Sequence, residues 1–211
     1  KIFLDEFNSL KLNCIISLDT RNVQTMKEAI KYGISIINDI SGFSDKKAIN
    51  LLKENDVTGV VMHMQGNPEK MQENPKYRFP PTDIFDFFEN KINKLIEYGV
   101  DFSKIVIDPG FGFGKKLEDN LFLLKYLPMF HCLGVPILVG LSRKSFIEEI
   151  SRKRFKKINN CNLDLTAENR LGGSIGLVAR VYDSGVQFVR THDVFDTKQA
   201  IFCLEEIDTI G

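Results

Sequence analysis

The sequence predicts an α/β fold with a parallel sheet, and a barrel in preference to an open doubly wound sheet. Short, nearly continuous Val/Ile/Leu runs alternate with longer amphipathic stretches, the signature of strands covered on both faces. The runs end in polar residues. In a parallel barrel those ends form one face, where loops from several strands build a single site.

Six such runs follow in order: Cys14–Asp19, Ser35–Asp39, Gly59–His63, Lys104–Asp108, Pro136–Gly140 and Val186–Arg190. Between them, Val23–Tyr32 carries apolar residues at helical spacing, and Gly33 can end it. Phe85–Tyr98 puts Phe85, Phe88, Ile92, Leu95 and Ile96 on one stripe, with Gly99 after it. Ala167–Tyr182 is helical in period, with Thr166 as its N-cap and Gly172, Gly173 and Gly176 for close packing. Gln65–Pro81 and Ser151–Leu165 read as loops. Six strands suit an open sheet as well as part of an eight-stranded barrel, so the polar strand ends carry the preference.

The 211 residues suffice for one domain, 1–211. A formal net charge of zero offers no basic field for nucleic acid or an anionic membrane. No apolar run is long enough to span a bilayer. Cys14, Cys132, Cys161 and Cys203 are scattered, which suits reduced thiols in an intracellular protein better than zinc or a disulfide framework. The basic run Arg152-Lys153-Arg154 with Lys156-Lys157 reads as a solvated surface.

Asp19, Asn38, Asp39, His63, Asp108, Ser142, Lys144, Arg190 and His192 stand at the strand ends. Any Asp taken singly reads as a helix cap or turn residue. Together, Asp and Asn can read a flat heterocycle, since the carboxylate accepts N–H donors and the amide both donates and accepts. Lys144, Arg190 and His192 supply charge and donors to an anion. Asp108-Pro109-Gly110-Phe111-Gly112-Phe113-Gly114-Lys115 fits neither a Walker A loop nor a dinucleotide loop. It reads as a backbone that approaches a ring closely, with Phe113 as a wall. His63 fits a hydrogen-bonded core histidine as well as a catalytic one.

Taken in order, Ile36–Ser41, Met62–Pro68, Asp108–Lys115, Gly140–Ser145, Arg170–Ser174 and Arg190–Val194 resemble the motifs of the dihydropteroate synthase family. The resemblance runs from about Ile15 to the end. It implies a (β/α)₈ barrel with six of its eight units in this chain. It implies condensation of 6-hydroxymethyl-7,8-dihydropterin diphosphate with 4-aminobenzoate, giving dihydropteroate and pyrophosphate in folate synthesis. Asp19, Asn38, Asp108, Phe113, Lys144 and Arg190 would meet the pterin, Arg190 and His192 the diphosphate, and Ser142 the 4-aminobenzoate. Lys144, Arg190 and His192 would carry the catalysis. The family's first two strands, with an Asn-Val-Thr-Pro-Asp-Ser-Phe loop and a Ser-Thr-Arg-Pro loop, have no match. The Mg²⁺ ligand is expected from that region and no metal ligand from this chain. The resemblance also implies a cytoplasmic homodimer, in a family that is a sulfonamide target. A pterin-dependent methyltransferase of the same superfamily would have no diphosphate to clamp, against the Ser-Arg-Lys-Ser and Arg-Thr-His-Asp motifs. A non-catalytic pterin-binding barrel fragment is the remaining alternative.

Overall fold

In the computed structural model, which describes residues 2–10, 14–159 and 165–210, parallel strands alternate with helices. Helix α1 (Ile2–Ser9) precedes β1 (Ser17–Asp19), α2 (Val23–Ile30), β2 (Ile36–Asp39), α3 (Lys46–Glu54) and β3 (Thr58–Met62). Then come α4 (Pro80–Glu97), β4 (Ile105–Asp108), α5 (Leu117–Lys125), β5 (Leu138–Gly140) and α6 (Ser145–Asn159). The chain ends with α7 (Leu171–Tyr182), β6 (Phe188–Arg190) and α8 (Val194–Asp208).

The strands lie side by side in chain order. β1-β2-β3-β4 form one parallel row and β5-β6 another, and a parallel bridge between Ile107 and Ile137 joins the two. A doubly wound sheet would reverse its order at a switch point. This row never reverses, as in a (β/α)₈ barrel, of which it supplies six units. Among the described residues β6 and β1 do not pair.

Register explains the layers. Ile37, Val61, Ile105 and Ile107 share one face of the row and join the buried core with Ile84, Phe88, Ile92 and Leu95 of α4 and Leu123 of α5. Burying each such side chain contributes about 1.5–3 kcal/mol. The alternate positions face the other way, into the barrel. Local signals fix the helix ends: Asn22 and Asp45 cap α2 and α3 by accepting backbone N–H groups, and Gly33 and Gly99 follow α2 and α4 at positive φ.

Three readings of the sequence need correction. Ser151–Leu165 is not a loop throughout, because α6 runs to Asn159. Glu148–Arg152 and Glu149–Lys153 pairs at i, i+4 spacing brace its exposed basic face. The α7 helix starts at Leu171, not Ala167, after a 3-10 turn at Glu168–Arg170. Thr166 bonds Asn169 and does not cap the helix. Finally, α4 begins at Pro80, since proline suits the first helical turn, where no N–H is needed.

The packing expected of α7's glycines holds at Gly173, where a Cβ would come 2.3 Å from Ile147 of α6, but Gly172 and Gly176 face open space. Cys14, Cys132 and Cys203 are free thiols; Cys161 lies outside the described residues. Among the described residues no helix is long and apolar enough to cross a membrane.

Candidate functional site

Strand register gathers the polar tips. Asp19 stands beside Asn38, Met62 beside Asp108, and Gly140 beside Arg190. Counting by twos from these pairs, and across the Ile107–Ile137 bridge, puts Asp19, Asn38, Asp108 and Arg190 on the inner face. Gly140 makes room there, since a Cβ would sit 3.3 Å from Arg190 Nε.

The tips play different parts. Asp39 is a turn residue: its carboxylate accepts from Ser41 N, Ser41 Oγ and Phe43 N, which holds Phe43 at φ +52. Asn38 is 3% exposed, and its Oδ1 is buried without a hydrogen-bond partner among the described residues. Asp108 is 2% exposed, and its Oδ1 accepts from Gly110 N at 2.8 Å. Burial pushes the Asp108 carboxyl pKa up, while Arg190, Lys144 and Lys115 pull against that rise. An orphaned buried amide oxygen costs about 1–3 kcal/mol until something donates to it.

The glycine segment wraps around a buried lysine. Lys115, 3% exposed, donates to Gly110 O (2.8 Å), Phe113 O (3.0 Å) and His63 O (3.3 Å) and lies 3.1 Å from His63 Nδ1. An ammonium cannot accept, so while Lys115 is charged His63 Nδ1 must, which leaves the ring proton on Nε2. Burial lowers Lys115 to about 7 and, with the Lys115 charge, lowers His63 to about 2. His63 stacks edge-on to Phe87. It is therefore the hydrogen-bonded core histidine of the two roles its sequence allowed. Asn120 Oδ1 accepts from Gly112 N, and Tyr77 donates to Gly114 O. The loop so fixed sets Phe113 under Lys144, whose Nζ lies 4.2 Å from the ring centroid. Burial lowers the Lys144 pKa.

The β5 and β6 tips meet directly. Ser142 Oγ lies 2.9 Å from His192 Nδ1 and accepts from His192 N at 3.2 Å. Arg190 Nη1 reaches Asp19 Oδ2 at 2.9 Å. A cleft of about 620 Å³ opens between Gly140, Ser142, Lys144, Arg190 and His192. It brings Lys144, Arg190 and His192 to one place. A larger groove, about 710 Å³, runs along the apolar side of α8 past Phe195, Phe202 and Cys203, away from the carboxylates and the buried amide.

Two residues escaped the sequence reading. Lys115 ends both a failed phosphate-loop match and a matched family motif but was given no role, although its place after three glycines was the signal. Arg143 was passed over between Ser142 and Lys144. Among the described residues no three His, Cys, Asp or Glu side chains group to hold a metal ion.

Buried amide and carboxylate acceptors on the inner face of a parallel α/β row, beside a cleft lined by Lys144 and Arg190, are the features of a site suited to a flat heterocycle and an anion. The pterin binding enzyme family matches residues 3–192, and the chain belongs to that family. It is 36% identical to the dihydropteroate synthase of Escherichia coli strain K12 over 190 residues, covering 90% of this chain and 63% of that protein. Its fold matches the Thermus thermophilus dihydropteroate synthase in complex with 4-aminobenzoate at TM-score 0.84 and 34% identity, covering 96% of this chain and 74% of that one. It matches the Xanthomonas albilineans dihydropteroate synthase in complex with 7,8-dihydropteroate at TM-score 0.84 and 29% identity, covering 96% and 70%.

Proposed function

We propose that this chain forms the pterin- and diphosphate-binding part of a dihydropteroate synthase, joining 6-hydroxymethyl-7,8-dihydropterin diphosphate to 4-aminobenzoate. The observation that carries the reading is the orphaned Asn38 Oδ1, buried on the same inner face as Asp108. A pterin's ring N–H groups would donate to both. The relatives solved with 4-aminobenzoate and with 7,8-dihydropteroate support one substrate and the product of that reaction.

Each residue then has a task. Asp19, Asn38 and Asp108 orient the pterin, and Phe113 and Lys144 wall it. Arg190 and His192 hold the diphosphate, and Ser142 lies towards the 4-aminobenzoate. The C–O bond to the diphosphate breaks, and the pyrophosphate leaves with the bonding electrons. The arylamine nitrogen bonds to the exposed methylene carbon and releases a proton. The step needs positioning and leaving-group stabilisation more than a strong base, a task suited to Lys144, Arg190 and His192. Magnesium would neutralise the departing diphosphate when bound. Among the described residues no three His, Cys, Asp or Glu side chains group to hold it; Lys144 and Arg190 would add positive charge beside it.

Residues 1–211 would belong to a single pterin-binding barrel domain, of which they supply six of eight units, in a cytoplasmic protein. A homodimer is proposed too. The open Gly172 and Gly176 on α7 and the exposed Phe195 and Phe202 on α8 support it. The test is pyrophosphate release by the intact protein. Release that depends on 4-aminobenzoate is expected; none from a folded protein overturns the proposal.

A further inference from the structure

Arg143 sits beyond the end of β5 between two residues of the proposed site and lines the same cleft, but its guanidinium is engaged by Asp193. It adopts φ +56, one of two non-glycine residues with positive φ among the described residues. A branched or bulky side chain rarely takes that conformation unless the surroundings over-determine it. Three neighbours do so. Arg143 N donates to Ser174 Oγ at 2.9 Å, and Ser174 Oγ in turn donates to Arg170 O. Arg143 O accepts from Arg170 Nη1 at 2.9 Å. The guanidinium forks onto Asp193, with Nε 3.0 Å from Oδ2 and Nη2 2.5 Å from Oδ1.

That fork has a consequence one residue away. Ser142 precedes Arg143 and His192 precedes Asp193, so the Arg143–Asp193 pair and the Ser142–His192 pair are consecutive rungs between the β5 and β6 tips. The forked rung is half sheltered, with side chains 31% and 11% exposed, and its two parallel bonds fix an orientation that a single contact would not. Lys144 follows on one strand tip and Arg190 stands three residues back on the other. The geometry points to Arg143 as a positioning residue, whose fork on Asp193 locks the two tips so that Lys144, Arg190 and His192 converge on one diphosphate. This rests on the proposed function of the site.

The test uses the intact protein and two probes, inorganic pyrophosphate and a 6-hydroxymethylpterin without phosphate, titrated by calorimetry. Asp193→Asn keeps the shape and removes the charge; Arg143→Gln removes the fork from the other side. Each is expected to weaken pyrophosphate about tenfold and to leave the unphosphorylated pterin unchanged. The double variant is expected to be no weaker than either single one, because the two side chains act as a unit. Arg143→Lys keeps the charge but not the fork and is expected to recover only part of the loss. In turnover, kcat falls while KM for 4-aminobenzoate holds. Unchanged pyrophosphate affinity in folded Asp193→Asn overturns the inference alone, as does an equal loss for both probes. If the wild-type protein binds neither probe, the reading of the site falls and the inference with it.

Discussion

Arg190 Nη1 lies 2.9 Å from Asp19 Oδ2, so the first and last strands of the row touch at their tips through one ion pair. Both side chains are about half exposed, at 46% and 51%. An exposed pair of this kind contributes at most about 1 kcal/mol to stability. Its value lies in placing a carboxylate and a guanidinium at the mouth of the barrel. Asp19→Ala should therefore leave the melting temperature within a few degrees. It should weaken dihydropterin diphosphate by about ten- to a hundredfold, the loss of a charge-assisted hydrogen bond. Calorimetric titration beside a thermal melt checks both.

The glycine loop separates stability from binding. Gly110 has φ +67, and a Cβ there would come 2.0 Å from His63 O, a backbone atom. Gly110→Ala should cost about 2–4 kcal/mol in chemical denaturation. Gly112 has φ +79, but its Cβ would meet only the flexible Lys144 side chain, at 3.3 Å from Cδ. Gly112→Ala should cost less stability and should displace Lys144, which pterin titration would detect. Equal stability losses would contradict the geometry.

His63 and Lys115 give stability a pH dependence of known sign. The folded His63 pKa is lowered from 6.5 to about 2, so below 6.5 the unfolded chain takes up a proton that the folded chain refuses. Stability is fully present above 6.5 and falls as pH drops, by about 1.4 kcal/mol per pH unit at most. Urea unfolding between about pH 6.5 and 5 should be less steep in His63→Leu than in the wild type. Lys115, lowered from 10.5 to about 7, acts on the other side. From about 7 up to 10.5 the unfolded chain keeps a proton the folded chain has lost, so stability rises with pH. Lys115→Met should flatten that rise.

Much of this site was legible because a buried parallel strand ending in a polar residue announces itself. Asp19, Asn38, Asp108 and Arg190 were all found that way. Which of them turn inward was not, because parity depends on pairings such as Met62 with Asp108 that only the assembled sheet defines. Asp39 and Asn38 are adjacent in sequence, and alternation alone sends one to a turn and the other into the barrel. Lys115 stayed hidden because lysine is almost never fully buried, and its carbonyl partners come from two segments some fifty residues apart. The α6 helix was lost under its basic run, although Glu148 to Arg152 and Glu149 to Lys153 were spaced to support a helix.

Binding of the unphosphorylated pterin to Asp108→Ala tests the central claim, that Asn38 and Asp108 read one heterocycle inside the barrel. The wild-type protein should bind it, and the variant, shown by circular dichroism to be folded, should not bind measurably. Unchanged affinity in the variant would contradict the account.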